Sequence, residues 1–169
     1  FQAAWLKVHH PAEFFAASFT YEASDTDKLA ILIEDAKAHE LEVLPPCVHE
    51  SQTRFAVVAE GTIRFGLEAI KGVGAGAADS VVQNRTTRLE AEGKPCPNFP
   101  EFLVDCVSGQ INRSAMESLI KAGALDRFGR RRLDVLADLA SNLAYAQSVA
   151  KDRERGQGML FDLGSQTAP

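Results

Sequence analysis

Long apolar runs are missing from this 169-residue chain: none reaches the eighteen or so residues that a membrane span needs. The N-terminus also lacks the basic start and small-residue cleavage site of a secretory signal, so the sequence predicts a soluble protein of the bacterial cytoplasm type. Histidine is scarce, and its four copies have no ligand spacing. His9 and His10 are adjacent and cannot share a helix face, while His39 and His49 are scattered, so no metal ligand is assigned. Cys47, Cys96 and Cys106 form no C-x-x-C pair, and an odd, widely spaced set fits free thiols in a reducing compartment rather than a disulfide framework. Neither a P-loop nor a nucleophile elbow is present, and no carboxylate pair stands in a strand context; no catalytic residue is assigned. An initiating methionine is also missing. The chain opens on Phe1-Gln2-Ala3-Ala4-Trp5-Leu6, already at helical spacing, which predicts a fragment of something longer.

What is present is a chain 46% hydrophobic, enough for a sizeable core, with a formal net charge of −5. The charge is graded. Residues 1–60 carry 4 basic and 10 acidic side chains, residues 61–132 carry 11 and 8, and the remainder 3 and 5. A polyanion that touches this chain is therefore expected in the middle. Apolar spacing predicts a helix over 2–19, interrupted or restarted by Pro11, and a second over 26–39 with Leu29, Leu32, Ile33 and Ala36 on one face. Two β-type runs, 55–58 and 62–65, join across a glycine-bearing turn and predict a small hairpin. Beyond it the pattern is helical: 66–71, 76–92, a segment opening at Phe99, one capped by Asn112, and a long helix after Gly129. That last helix carries Leu133, Leu136, Ala137, Ala140, Leu143, Ala144 and Ala150 and is expected to fray at 151–156.

The sharpest local signal is Leu67-Glu68-Ala69-Ile70-Lys71-Gly72-Val73-Gly74-Ala75-Gly76-Ala77-Ala78. Glycines around one valine between two helical segments allow a tight reversal, which makes a helix-hairpin-helix. The second helix then aims its N-terminus at the turn, where a phosphate can sit beside Lys71, with Gly74 and Gly76 keeping side chains away; Lys71, Gly72, Val73, Gly74 and Gly76 are the candidate DNA-binding residues, Val73 also packing the two helices together. Such a turn reads phosphates, not bases. A plainer reading, a tight αα-turn whose glycines serve packing alone, stands beside it. A degenerate second copy, Ser118-Leu119-Ile120-Lys121-Ala122-Gly123-Ala124-Leu125, adds Lys121 and Gly123 to the candidate DNA-binding residues. The densest basic cluster, Arg127-Phe128-Gly129-Arg130-Arg131-Arg132, adds Arg130 and Arg131, against the alternative of a solvated helix start. Arg85 and Arg88 are read as a solvated helix face. In the Gly- and Ser-rich tail, Gln157-Gly158-Met159-Leu160-Phe161 sets three large apolar residues in a row.

In this order the residues resemble the family C replicative polymerases of bacteria, the DNA polymerase III alpha subunits. The resemblance is carried by His10-Pro11-Ala12-Glu13-Phe14, Asp27-Lys28-Leu29, Val43-Leu44-Pro45-Pro46, Ile63-Arg64-Phe65-Gly66-Leu67, Ile70-Lys71-Gly72-Val73-Gly74 and Leu119-Ile120-Lys121-Ala122-Gly123-Ala124-Leu125-Asp126. It implies a mainly α fold: a tandem helix-hairpin-helix bundle with a small β-hairpin and a flexible C-terminal tail. It further implies the end of a fingers domain over 1–51, a hairpin connector over 52–65, a duplex-DNA-binding domain over 66–150, and a linker and tail over 151–169. The tail pentapeptide looks like a sliding-clamp-binding motif, with Gln157 at the rim of a pocket and Met159, Leu160 and Phe161 as apolar anchors. The implied partners are duplex DNA, the sliding clamp and other replisome subunits. The parent's nucleotidyl transfer, its Mg2+ and its catalytic aspartates are expected upstream of residue 1, with no cofactor in this fragment. Where the family usually has Asp-Val-Asn after the paired prolines, this chain has Cys47-Val48-His49, which leaves the local turn open. The alternatives are a helix-hairpin-helix module of a repair enzyme, the error-prone branch of family C, and a purely structural helical scaffold.

Overall fold

Pro11 decides how the chain begins. In the computed structural model, which describes residues 2–107 and 111–164 and the side chains of 3–107, 111–153 and 155, the opening stretch is two helices, α1 (Gln2–His9) and α2 (Pro11–Tyr21). Proline occupies the first position of α2, where its missing N–H is no loss. The break turns α1 away from the face it was expected to share: Ala12, Phe15 and Phe19 are buried, but Trp5 is 51% and Val8 74% exposed. Helix α3 (Thr26–Ala38) starts where Asp25 accepts a hydrogen bond from the Lys28 N–H at 3.1 Å. It buries Leu29 and Ala36 and half-buries Leu32 and Ile33.

The expected hairpin forms from β2 (Ala56–Ala59) and β3 (Thr62–Arg64), turning at Gly61 with φ +68°. A third strand, β1 (Glu42–Leu44), joins it parallel to β3, giving the order β1-β3-β2 with Val43 and Val57 both paired to Ile63. Ile63 is fully buried and completes the first core with Phe15, Phe19 and Phe55; the Phe19 and Phe55 rings lie 5.2 Å apart.

Phe65 packs against this core and against a second, larger one. Next to it, a Cβ on Gly66 would lie 2.5 Å from the Arg54 carbonyl carbon, so only glycine lets the two segments meet. The second core is built by a 3₁₀ turn (Leu67–Ala69) and the helices α4 (Ala75–Glu92), α5 (Phe99–Val107), α6 (Arg113–Lys121), α7 (Arg132–Ala137) and α8 (Leu139–Gly164). Asn112 caps α6 through the Ala115 N–H at 2.8 Å, as its residue type predicts. The helix expected after Gly129 is instead two, divided at Asp138; its buried face is Val135, Leu139 and Ala146, with Leu136 and Leu143 of the expected stripe half-buried against the core, while Leu133 is 78% exposed and Ala137, Ala140 and Ala144 are exposed. Alanine is equally at home on either face, so an alanine-rich stripe misplaces the phase. The backbone of α8 runs on through 151–164 rather than fraying: Lys-Asp-Arg-Glu-Arg holds no breaker, and each of Gly156 and Gly158 costs a helix only about 1 kcal/mol. No helix among the described residues is long and apolar enough to cross a membrane.

Candidate nucleic-acid interface

The first hairpin folds as its residues suggest, with one difference. Its leading arm is the 3₁₀ turn Leu67–Ala69, not a helix over 66–71. Leu67, Ile70, Val73 and Ala78 are all buried and close the two arms against each other, so the Val73 side chain, a candidate for DNA contact, belongs to the core instead. Gly72 has φ +91°, and a Cβ there would meet Ser118 Oγ of α6 at 2.5 Å. Gly74 has an ordinary φ of −76° and open space where a Cβ would go. It is the N-cap of α4, offers no side-chain cap, and no acidic residue stands in the first turn. The first N–H groups of this 18-residue helix therefore gather at an exposed corner with neither a cap nor a carboxylate. Gly76, in that first turn, is exposed as well.

The second copy is built differently. Helix α6 ends in a Gly123 turn at φ +81°, with the Ala124 N–H donating to the Leu119 carbonyl at 3.0 Å. The next element is only a 3₁₀ turn, Asp126–Phe128, opened by an acid. Helix α7 comes later and spans six residues. Lys71 and Lys121, the lysines of the two copies, line one open groove with Pro46, Phe65, Ser118 and Ala122. Both are exposed, and neither has a carboxylate partner among the described residues.

The arginine cluster is not free charge. Arg127 pairs with Glu50, which also pairs with Arg64; Arg130 pairs with Asp138 at 2.7 Å, Arg131 holds Asp134 through two bonds of 2.9 Å, and Arg132 grips Asp126. The pairs of Arg127, Arg130 and Arg131 are exposed, and such pairs contribute about 0–1 kcal/mol each, so a phosphate can compete for these three arginines, whereas Arg64 is largely buried. Arg131 holds the Asp134 carboxyl below its usual range, and Arg132 does the same to Asp126. Arg85 and Arg88, read as a solvated face, are internal struts. Arg85 donates to the Val48 and Ser51 carbonyls at 3.1 and 2.8 Å, and Arg88 meets Asp105, Glu101 and Glu92 at 2.6, 2.5 and 3.0 Å. Glu92 lies one turn on in α4, but the other acceptors come from the Val48–Ser51 turn and from α5, which spacing within α4 does not reveal.

The turn at Cys47-Val48-His49 closes without a family-type aspartate: Ser51 Oγ accepts from the Cys47 N–H at 2.9 Å, and the Ser51 N–H donates to the Cys47 carbonyl at 2.7 Å. His49 packs against Phe128 with the rings tilted at 60° and 4.7 Å between centroids, and burial holds it below its usual value. Burial also pushes the Cys96 thiol up to about 11 and the Cys106 thiol higher still, so neither is a nucleophile at neutral pH. Among the described residues no three His, Cys, Asp or Glu side chains stand where they could together hold a metal ion. The side chains of Gln157, Met159, Leu160 and Phe161 lie outside those described.

Residues 40–135 match the model of the family described as helix-hairpin-helix motif. Over 163 residues the chain is 42% identical to DNA polymerase III subunit alpha of Thermus aquaticus, and over 176 residues 41% identical to that of Pseudomonas aeruginosa. Over 161 residues it is 35% identical to that of Xylella fastidiosa. These matches take in 95–96% of this chain but only 12–15% of the relatives, so it spans about an eighth of their length. With both hairpin turns inside a match that covers more than half of it, the chain belongs to the helix-hairpin-helix family, and along nearly all its residues it is similar to a short stretch of DNA polymerase III subunit alpha.

Proposed function

We propose that this chain is a non-catalytic part of a replicative DNA polymerase III alpha subunit that contacts the phosphate backbone of duplex DNA without regard to sequence. The observation that carries the reading is the corner at Gly74: an uncapped helix N-terminus and open space in place of a side chain, three residues after Lys71, which lines one groove with Lys121. Few phosphates are engaged, so affinity is low and its salt slope shallow. The test is Gly74→Asp. Aspartate is a good N-cap and fits the ordinary φ and the open space, so the variant folds at least as stably as the parent. Its carboxylate satisfies the N–H groups itself and repels phosphate, so duplex binding at low salt is lost. Unchanged binding by this variant would refute the reading.

The similarity to the alpha subunits, together with Gln157-Gly158-Met159-Leu160-Phe161 at the far end of the chain, supports a second contact, with the sliding clamp. Tethering raises the effective concentration at DNA and compensates for the weak grip of the hairpins. Polymerisation and its Mg2+ belong, on this reading, to parts of the relatives that this chain does not span. The check is titration against a bacterial sliding clamp: saturable binding is expected for the parent and none when Leu160 and Phe161 are both alanine.

A further inference from the structure

We infer that the second hairpin is held by an ion-pair clasp, and that Arg132 is a positioning residue for Lys121; the inference rests on the phosphate-contact reading above. The Arg132 guanidinium makes three bonds around one turn: Nε to Asp126 Oδ1 at 2.9 Å, Nη2 to Asp126 Oδ2 at 2.5 Å, and Nη1 to the Lys121 carbonyl at 3.3 Å. Asp126 is itself tied back by its N–H to the Gly123 carbonyl at 3.1 Å. A Cβ on Gly123 would stand 2.8 Å from Arg132 Cζ and 2.9 Å from Asp126 Oδ2. The missing side chain at Gly123 therefore makes room for the clasp, where that at Gly74 opens onto solvent. The two hairpins differ in kind: the first presents a helix N-terminus, and the second presents only the Lys121 ammonium, on a turn whose shape the clasp sets. A planar fork can hold both carboxylate oxygens and the carbonyl at once, which a lysine in place of Arg132 cannot.

The experiment measures binding of the 169-residue chain to a short DNA duplex as salt is varied, for Lys121→Gln, Arg132→Gln, Arg132→Lys, Asp126→Asn and the double Lys121→Gln/Arg132→Gln, each also melted thermally. Lys121→Gln is expected to lower the log–log salt slope by about one. Arg132→Gln and Asp126→Asn should do the same, the double variant should lose about one rather than two, and Arg132→Lys should not rescue. Should Arg132→Gln fail to melt cooperatively, Asp126→Asn, which keeps the shape of the side chain, decides alone. A slope unchanged in Arg132→Gln and Asp126→Asn while Lys121→Gln lowers it overturns the clasp and leaves the phosphate reading intact. A loss of about two in the double variant also overturns it, because Arg132 would then touch a phosphate itself. Absence of salt-dependent binding by the parent chain removes both.

Discussion

Gly72 and Gly74 stand two residues apart and serve different ends. Gly72→Ala puts a Cβ at φ +91° and against Ser118 Oγ, and is expected to destabilise the fold by about 1–3 kcal/mol in urea unfolding. Gly74→Ala has no such cost, and the same measurement should find it within about 0.5 kcal/mol of the parent. Sequence alone made the pair look equivalent, since both glycines fit a tight turn; only the packing of α6 behind the turn separates them. His49 offers a second test at this scale. Burial depresses its protonation in the folded state despite the Cys96 carbonyl at 3.3 Å and Glu50, with Arg127 and Arg85 opposing the charge as well. The unfolded chain therefore binds the proton first, and stability should fall as pH drops below about 6.5. His49→Asn should flatten the melting temperature between pH 5 and 6.5, roughly the window in which a free imidazole gains its proton.

Among the elements, α4 is joined to α5 by shared core residues, by Asn84, which donates to the Asp105 carbonyl at 2.7 Å, and by the charge of Arg88. Arg88, its side chain only 11% exposed, faces Asp105, Glu101 and Glu92, and Asp105 and Glu101 outweigh the burial that opposes its charge. Arg88→Ala leaves three carboxylates around an empty place and is expected to cost about 3 kcal/mol in urea unfolding, whereas Arg113→Ala, at an exposed pair within α6, should cost under about 0.5 kcal/mol. Local signals placed most elements correctly. Asn112, Asp25, Pro11 and Gly61 act within a few residues of themselves, and the starts of α6, α3 and α2 and the turn of the hairpin are set by them. Periodicity could not reach what depends on distant partners: the alternation at 41–44 marks β1, but not its parallel pairing with β3, which closes across some twenty residues, nor the buried faces of α8, packed on α5, and of α7, packed on α6.

For the molecule as a whole, the two cores meet at Phe65, and Glu50 adds a second link by pairing with Arg64 on β3 and Arg127 beside the second hairpin. Arg64 and Arg127 outweigh burial and keep the Glu50 carboxyl below its usual range, so the link holds at neutral pH and is lost in acid, as pH falls through that lowered value. The sequence by itself determined the helical class, the hairpin turns, the family and the basic middle, because each rests on residue types at short spacing. Gly72-Val73-Gly74 and Lys71 were legible for that reason. The tertiary structure alone decided which cations are spoken for. Lys71 and Lys121 stay open on one groove, while the arginines of the densest cluster turn back on Asp126, Asp134, Asp138 and Glu50. Charge can be counted along a chain, but whether a charge is neutralised depends on which carboxylates folding brings within about 4 Å of it.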